Sequence, residues 1–341
     1  MKNQEKIFVI GHKNPDTDSI CSAIAYCDIK NRTSQKQRFV PKRAGQINEE
    51  TEYVLSRFGV QPPGYLSNIG TQVKDMDIRM SPDADKGMSL KAAWDIMQEN
   101  SIVSLPIRDK EGALEGLITI GDIAKTYMDT TDSYLLSRAR TQYQKIAETI
   151  HGEIIEGNPH GYFIKGRVMV GTANPDKMKE YIEEDDMIIM GDREEDHLQA
   201  IAQNVSCIIV GLGIQVTENV VKLAHEKDII IIASPYDTFT IARLINQSIP
   251  VRYIMKTDNL VTFNTEDFTD DIQDVMIKHR HRAFPVINKK GKCIGTISRR
   301  NFLGMHKKQV VLVDHNEIDQ AVDNIEKADI LEIIDHHKLG T

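Results

Sequence analysis

The sequence predicts an α/β protein whose parallel-sheet domain is interrupted by a long insert. Three observations support this fold. An apolar strand near the N-terminus and two near the end of the chain each run into acidic or histidine residues, an α+β segment of the insert occurs twice, and strands alternate with helices between the two copies. Because parallel sheets form ligand sites beyond the carboxyl ends of their strands, the three polar strand ends should meet at one edge.

The first strand, IFVI at residues 7–10, is followed at once by the loop GHKNPDTDS and then by a helical pattern. This loop puts His12, Asp16 and Asp18 within seven residues. Imidazole and carboxylate groups at this spacing suit a divalent metal, and two carboxylates one residue apart can face two different ions. Taken alone, Asp18 or Ser19 could instead cap the following helix.

Two further apolar strands lie near the end of the chain. The run VVLV precedes Asp314, and the run LEII precedes Asp335, His336 and His337. Each of these residues alone could be a cap or a turn residue, but that explanation is poor for three strands that all end in metal-type ligands. The set predicts a two-metal centre of the kind that hydrolyses phosphoryl bonds.

The insert contains an internal repeat. Residues 104–123 align without a gap to residues 283–302 at an offset of 179, and Pro106 matches Pro285. Each copy reads as a helix, a strand, a glycine turn, a second strand and a second helix. One such unit is too small to bury its apolar face alone, so the two copies should pack as a pair.

Between the copies, residues 145–248 alternate apolar strands with helical patterns, which predicts a parallel α/β layer. Gly211 and Gly213 follow one of these strands. A GxG pair without the third glycine indicates a plain turn between strand and helix, not a dinucleotide fingerprint.

Composition limits the function classes. The chain has 341 residues, which predicts two or three domains, and a formal net charge of −8, which argues against nucleic-acid binding. Its 4 cysteines form no CxxC pair, as is typical of core cysteines in a reducing cytosol. No apolar run approaches the length of a membrane span.

The HxxxDxD loop, the VDHNE strand and the DHH triplet resemble the DHH phosphoesterase superfamily. The sequence PDTDSICSA is most similar to the corresponding motif of the manganese-dependent (family II) inorganic pyrophosphatases. The insert resembles the CBS and DRTGG regulatory region of one subclass of that family. The resemblance covers essentially the whole chain. It implies a DHH domain at 1–65 and 308–341, CBS motifs at 66–128 and 249–307, and a DRTGG-like domain at 129–248.

The resemblance also implies roles for the strand-end residues. It gives a set of metal ligands: His12, Asp16, Asp18, Asp314 and His336. Of these, Asp314 would bridge two ions, with His12 and Asp16 on one ion and the other two ligands on the second. Outside the ligand set, His337 would contact substrate phosphate and Asp335 would orient a ligand histidine.

CBS pairs of this kind bind adenosine nucleotides, and the resemblance implies that six residues contact them: Thr119, Asp122, Ser298, Asn301, Arg280 and Arg299. The Asp122 carboxylate can accept hydrogen bonds from ribose hydroxyls. Its counterpart Asn301 carries no charge, but the arginines near it suit a phosphate, unless they form a solvated face or face the catalytic part. This asymmetry predicts one strong nucleotide position rather than two equal ones.

The implied activity is metal-dependent hydrolysis of inorganic pyrophosphate to two phosphates, with two Mn²⁺ per site and Co²⁺ or Mg²⁺ as alternatives. AMP or ADP would inhibit through the CBS pair, and ATP-like or diadenosine polyphosphate ligands would activate. A cytoplasmic homodimer is expected, without nucleic-acid or membrane partners. Because the family continues beyond the DHH triplet with a further bridging aspartate and a second basic domain, we expect the chain to be C-terminally truncated and to hydrolyse little pyrophosphate alone.

Two other functions stay open from the sequence. A DHH phosphodiesterase acting on cyclic dinucleotides or oligonucleotides would share the metal centre but add a base-binding domain. A non-catalytic nucleotide sensor would need only the insert. The Thr17-Asp18-Ser19 wording favours pyrophosphate over the first alternative, and the retained metal-type ligands favour an enzyme over the second.

Overall fold

In a computed structural model of the protein, the described residues are 5–34, 37–128, 132–173, 175–303 and 305–338. They divide into two compact units. The first unit contains the described residues within Met1–Ile78, Phe263–His281 and Ile297–Thr341, and the second those of Arg79–Thr262 and Arg282–Thr296. The second repeat is therefore shared between the units, a division that the sequence did not indicate.

The strands, in chain order, are β1 (Glu5–Ile10), β2 (Gln37–Arg43), β3 (Gly64–Tyr65), β4 (Arg79–Met80), β5 (Ser104–Arg108), β6 (Leu114–Thr119), β7 (Thr141–Gln142), β8 (Glu153–Glu156), β9 (Tyr162–Phe163), β10 (Val168–Val170), β11 (Met187–Met190), β12 (Cys207–Val210), β13 (Ile230–Ala233), β14 (Phe263–Asn264), β15 (Phe284–Ile287), β16 (Cys293–Ile297), β17 (Gln309–Val313) and β18 (Asp329–Ile334). The helices are α1 (Thr17–Thr33), α2 (Glu49–Arg57), α3 (Leu90–Glu99), α4 (Ile120–Met128), α5 (Leu135–Arg138), α6 (Tyr143–Thr149), α7 (Pro175–Tyr181), α8 (Glu194–Ala202), α9 (Glu218–Glu226), α10 (Thr238–Leu244) and α11 (Thr269–Lys278). None of the helices in the described ranges combines the length and the apolar character that a membrane crossing requires.

The first unit is built on one parallel sheet of order β18-β17-β1-β2-β3. Alternate residues of the central strands face opposite sides. Val9 and Val311 pack with α1 on one face, while Ile10 and Leu312 pack against the segment that follows β17 on the other. Such burial on both faces explains why these strands read as continuous apolar runs. In the described part of the chain, the first and last segments thus share one parallel sheet.

In the second unit, β10, β11, β12 and β13 form the predicted parallel layer, and β8 adds an antiparallel edge. The helices between these strands bury their apolar sides in one core with Val220, Ala224 and Ile201. The first repeat forms the predicted hairpin of β5 and β6. The hairpins of the two copies contact each other, since the Cys293 N–H donates to the Gly112 carbonyl over 2.9 Å.

The two copies also exchange their leading segments. In the first copy, Leu117 of β6 pairs with Lys256, which lies in the leading segment of the second copy. In the second copy, Thr296 of β16 pairs with Arg79, which lies in the leading segment of the first copy. Each hairpin is thus completed by backbone from the other copy, which is a physical reason why one copy alone would be incomplete.

Gly45 sets the position of the loop that follows β1. A Cβ at this residue would lie 2.1 Å from the carbonyl oxygen of Lys13 and 2.6 Å from Cδ of Pro15. We expect Gly45→Ala to displace the loop and to lower the free energy of unfolding by about 1–3 kcal/mol, as overpacking does elsewhere. Urea unfolding measures this loss. Gly191→Ala is the control, because a Cβ there meets nothing within 4 Å, and equal losses for both variants would contradict the steric argument.

Candidate metal centre and nucleotide-binding residues

The loop after β1 is held by the start of α1. Asp16 is the N-cap residue, and its Oδ1 accepts from the Ser19 N–H over 3.0 Å. Of the two caps considered from the sequence, neither Asp18 nor Ser19 takes that place. Asp18 lies in the first turn of the helix, where its Oδ1 accepts from the Ser22 hydroxyl over 2.9 Å. Asp16 faces His12 with the same Oδ1 that caps the helix. Asp18 instead turns its second oxygen, Oδ2, toward His336.

Asp314 follows β17 directly and occupies the middle of the site. Its φ of 63° lies in the left-handed region, which Asp tolerates better than most residues. The Asp314 N–H donates to the Ile334 carbonyl over 2.8 Å, and the residue is only 5% exposed. A register shift between β17 and β18 leaves Val313 opposite Ile334. Because of that shift, Asp314 and Asp335 leave their strands side by side.

The two oxygens of the Asp314 carboxylate face two different sets of ligands. Asp314 Oδ2 lies 3.3 Å from His12 Nε2, which in turn lies 3.8 Å from Asp16 Oδ1. Asp314 Oδ1 lies 3.3 Å from His336 Nε2, and that nitrogen lies 3.5 Å from Asp18 Oδ2. All five predicted metal ligands are therefore brought together, although nearly three hundred residues separate the loop from the two later strand ends.

Candidate ligand atoms within 4.8 Å of one another form two groups that share Asp314. One group adds His12 and Asp16, and the other adds His336 and His337. Imidazole nitrogens with carboxylate oxygens suit Mn²⁺, Co²⁺ or Zn²⁺ better than Ca²⁺, which prefers oxygen ligands only. The donor set therefore fits a pair of transition-metal ions. His337 is part of the second group, although the sequence predicted it as a contact for substrate phosphate.

Asp335 contacts His337, the second of the two histidines that follow it. Its Oδ1 accepts from Nδ1 of His337 over 2.7 Å, and its Oδ2 accepts from the side-chain amide of Asn316. The hydrogen bond to Asp335 raises the pKa of His337. Burial pushes the pKa of Asp335 upward, but the hydrogen bonds from His337 and Asn316 outweigh it and leave that pKa below its ordinary value. This arrangement suits the predicted orienting role of Asp335.

Two residues of the site were missed from the sequence, although both follow Asp314 in the VDHNE motif. His315 is 1% exposed, and its Nδ1 donates to the Val313 carbonyl over 2.9 Å. Burial lowers the pKa of His315, which favours the neutral ring. Asn316 joins the two strand ends, since its amide also donates to the Lys338 carbonyl over 2.9 Å. Both residues line a cavity of about 600 Å³ that opens beside the metal ligands.

The predicted nucleotide-binding residues of the first copy lie in the second unit. Thr119 and Asp122 cap α4 reciprocally: Asp122 Oδ2 accepts from the Thr119 N–H over 2.9 Å and from the Thr119 hydroxyl over 2.6 Å. Asp122 Oδ1 lies 3.5 Å from Nζ of Lys256. The carboxylate thus has one oxygen committed to the cap and one turned to Lys256.

The residues of the second copy lie in the first unit and repeat the cap. Oδ1 of Asn301 accepts from the Ser298 N–H over 2.7 Å and from its hydroxyl over 2.8 Å. The guanidinium of Arg299 donates to carbonyls at the end of α11, including that of His281 over 3.4 Å. Its donors are therefore occupied by backbone, whereas Arg280 is exposed. Nucleotide contact by these residues stays a prediction.

Known protein families match separate segments of this chain. A DRTGG-domain model matches residues 145–248, and a CBS-domain model matches residues 75–129 and 251–307. The CBS and DRTGG domains of the regulatory region of Clostridium perfringens pyrophosphatase, solved in complex with the activator diadenosine tetraphosphate, are 35% identical, with a TM-score of 0.64. The similarity covers 67% of this chain and 100% of that structure.

Two relatives match nearly the whole of this chain, including the strand ends that carry the candidate metal ligands. The chain is 39% identical to a cobalt-dependent inorganic pyrophosphatase of Clostridium perfringens over 338 residues, which is 99% of this chain and 61% of that protein. The chain belongs to the metal-dependent inorganic pyrophosphatases that carry CBS and DRTGG domains. A probable manganese-dependent pyrophosphatase of Thermotoga maritima is 32% identical over 347 residues, 100% of this chain and 62% of that protein.

Membership of this pyrophosphatase family confirms the family predicted from the three strand-end motifs. The chain spans about 61% of the length of the curated relatives it matches. The CBS matches begin at residues 75 and 251, inside the segments predicted to start at 66 and 249, and the DRTGG match begins at 145 rather than 129.

The position of Asp314 between two ligand groups yields a direct test. Asp314→Asn keeps the side-chain shape and tolerates the left-handed backbone, but it removes the charge that both groups share. We expect Mn²⁺ affinity to fall by at least about tenfold, since even residues behind metal ligands have effects of this size. Calorimetric titration with Mn²⁺ measures this change.

Asp319→Asn is the matched control for that titration. Asp319 lines the same cavity but belongs to neither ligand group. Both variants remove one negative charge near the site, so a general electrostatic effect would weaken binding equally in the two. Equal affinities for Asp314→Asn and the unaltered chain would remove Asp314 from the metal-binding set.

Proposed function

We propose that the function is metal-dependent hydrolysis of inorganic pyrophosphate to two phosphates, controlled by adenine nucleotides at the CBS pair. The observation that carries the proposal is the Asp314 carboxylate, whose two oxygens face His12 and His336 at 3.3 Å each. A shared carboxylate between two imidazole-containing groups suits two ions held close together. The named relatives, which are cobalt- or manganese-dependent pyrophosphatases, support the same chemistry.

Five residues of this chain would hold the two metal ions. His12 and Asp16 would hold one ion, His336 and Asp18 the other, and Asp314 both. A pair of divalent ions acidifies water and offsets charge on the phosphoryl oxygens.

The other strand-end residues would act on the substrate. His337 would donate to a substrate phosphate oxygen, because its hydrogen bond to Asp335 favours the protonated ring. Asp335 and Asn316 would keep that ring in place. His315 would form part of the cavity wall in its neutral form.

Regulation by nucleotides is proposed for the repeat and the layer between its copies. The insert interrupts the DHH domain between β3 and β17, so a change in the CBS pair can reach both groups of metal ligands. A nucleotide acts this way only if it binds two states of the module with different affinity. The activator bound to the Clostridium perfringens regulatory region supports diadenosine polyphosphates as one class of effector. A cytoplasmic homodimer remains part of the proposal.

A chimaera tests the catalytic function. This chain would replace the matching 61% of the Clostridium perfringens pyrophosphatase, and phosphate release from pyrophosphate would be measured with Mn²⁺ or Co²⁺. We expect turnover in the chimaera and none in its Asp314→Asn form. Hydrolysis of a cyclic dinucleotide in place of pyrophosphate would identify a phosphodiesterase. A folded chimaera that hydrolyses neither but binds AMP would identify a nucleotide sensor.

The cap at the start of α4 allows a variant that tests nucleotide binding while keeping the cap. Asp122→Asn keeps an oxygen for the Thr119 cap, as Asn301 does in the second copy, but removes the charge that would accept the ribose hydroxyls. We expect AMP affinity to fall about tenfold by calorimetry, the effect of one hydrogen bond to a charged group. Asp109→Asn in the hairpin turn of the same copy is the control. Unchanged AMP affinity in Asp122→Asn would exclude the ribose role.

A further inference from the structure

Lys256 stands beside Asp122 although the two residues belong to different copies of the repeat. The backbone of Lys256 exchanges two hydrogen bonds of 2.9 Å each with Leu117, the residue two positions before Thr119. Gly116 allows this close approach, since a Cβ there would lie 2.9 Å from the Lys256 carbonyl oxygen. The Lys256 backbone is therefore fixed next to the first-copy cap, while its side chain stays 56% exposed.

The contact between Lys256 and Asp122 is loose. Nζ lies 3.5 Å from Oδ1, beyond the usual range of a charge-assisted hydrogen bond, and the lysine side chain is more than half exposed. Exposed pairs of this kind contribute little to stability. Lysine also carries its charge on a flexible four-carbon stem, so the ammonium can turn to a new partner without moving the backbone.

The second copy lacks this cation. The position 179 residues before Lys256 is Asp77, and no gap is needed to align the two. Asp77 contacts the second-copy cap through its carbonyl, which accepts from the Asn301 amide over 2.6 Å. The first copy thus offers a carboxylate and an ammonium side by side, whereas the second offers a neutral amide and an acidic side chain.

We propose that Lys256 binds the phosphate of a nucleotide whose ribose hydroxyls are held by Asp122, so that Lys256 selects phosphorylated nucleotides over nucleosides at the first-copy position. This inference rests on the proposed nucleotide regulation. The diol of a ribose takes the open oxygen of Asp122, and the displaced ammonium turns to the negatively charged phosphate. Asp77 would repel a phosphate at the equivalent place, which makes the two positions unequal.

Calorimetry with AMP and adenosine on the full 341-residue chain tests the assignment. Lys256→Met should raise the dissociation constant for AMP by about tenfold or more and leave that for adenosine unchanged, since only AMP carries the phosphate. Lys256→Arg should restore AMP binding. The control is Lys86→Met, which removes a lysine of similar exposure, 54%, paired with Glu115 at 2.6 Å. Thermal unfolding of each variant verifies that the fold is kept.

Other outcomes overturn the assignment in distinguishable ways. Unchanged AMP affinity in Lys256→Met, with AMP binding still sensitive to Asp122→Asn, would exclude Lys256 and leave the proposed nucleotide site intact. Equal weakening of AMP and adenosine would make Lys256 a support for the cap. Tighter binding of both would make it a competitor for Asp122. An unaltered chain that binds neither molecule would remove the nucleotide function together with this inference.

Discussion

Pairing of β17 with β1 on one side and β18 on the other is the constraint on which the first unit depends. The register aligns Ile10 with Leu312 and Val313 with Ile334, so three strand ends reach the same edge of the sheet. Because β1 and β17 are parallel and buried on both faces, a slip by one residue would turn the apolar side chains of β17 away from their cores. The same apolar packing that stabilises the sheet therefore fixes where the metal-type ligands stand.

Asp314 shows how this packing is turned into chemistry. A buried carboxylate without partners would be costly, and here each of its oxygens faces an imidazole from a different strand end. The left-handed backbone at Asp314 carries the carboxylate out of the strand toward both groups. Behind it, Asn316 and Asp335 tie the last two strand ends together. The site is thus formed where three strands end, and no single strand end contributes enough ligands to bind two metal ions.

The repeat follows a comparable principle. Each hairpin is completed by backbone from the leading segment of the other copy, as the pairs Leu117–Lys256 and Thr296–Arg79 show. Exchange of this kind gives two nearly equivalent cap positions different neighbours. Lys256 lies against Asp122, whereas Asp77 lies against Asn301 through its backbone only. The two copies thus differ chemically because the cap of each copy contacts the leading segment of the other, and the two leading segments carry different residues.

The sequence by itself determined the elements and the candidate ligands. Apolar runs that end in HxxxDxD, VDHNE and DHH predicted the parallel sheet and the five candidate metal ligands that meet at its edge. The offset of 179 predicted the paired hairpins, because periodicity and strand-end chemistry are local properties. Only the tertiary structure decided which groups meet. The positions of His315 and Asn316, the commitment of Arg299 to the end of α11 and the approach of Lys256 to Asp122 all depend on contacts between distant segments. Such contacts follow from strand register and packing, which no local pattern in the chain specifies.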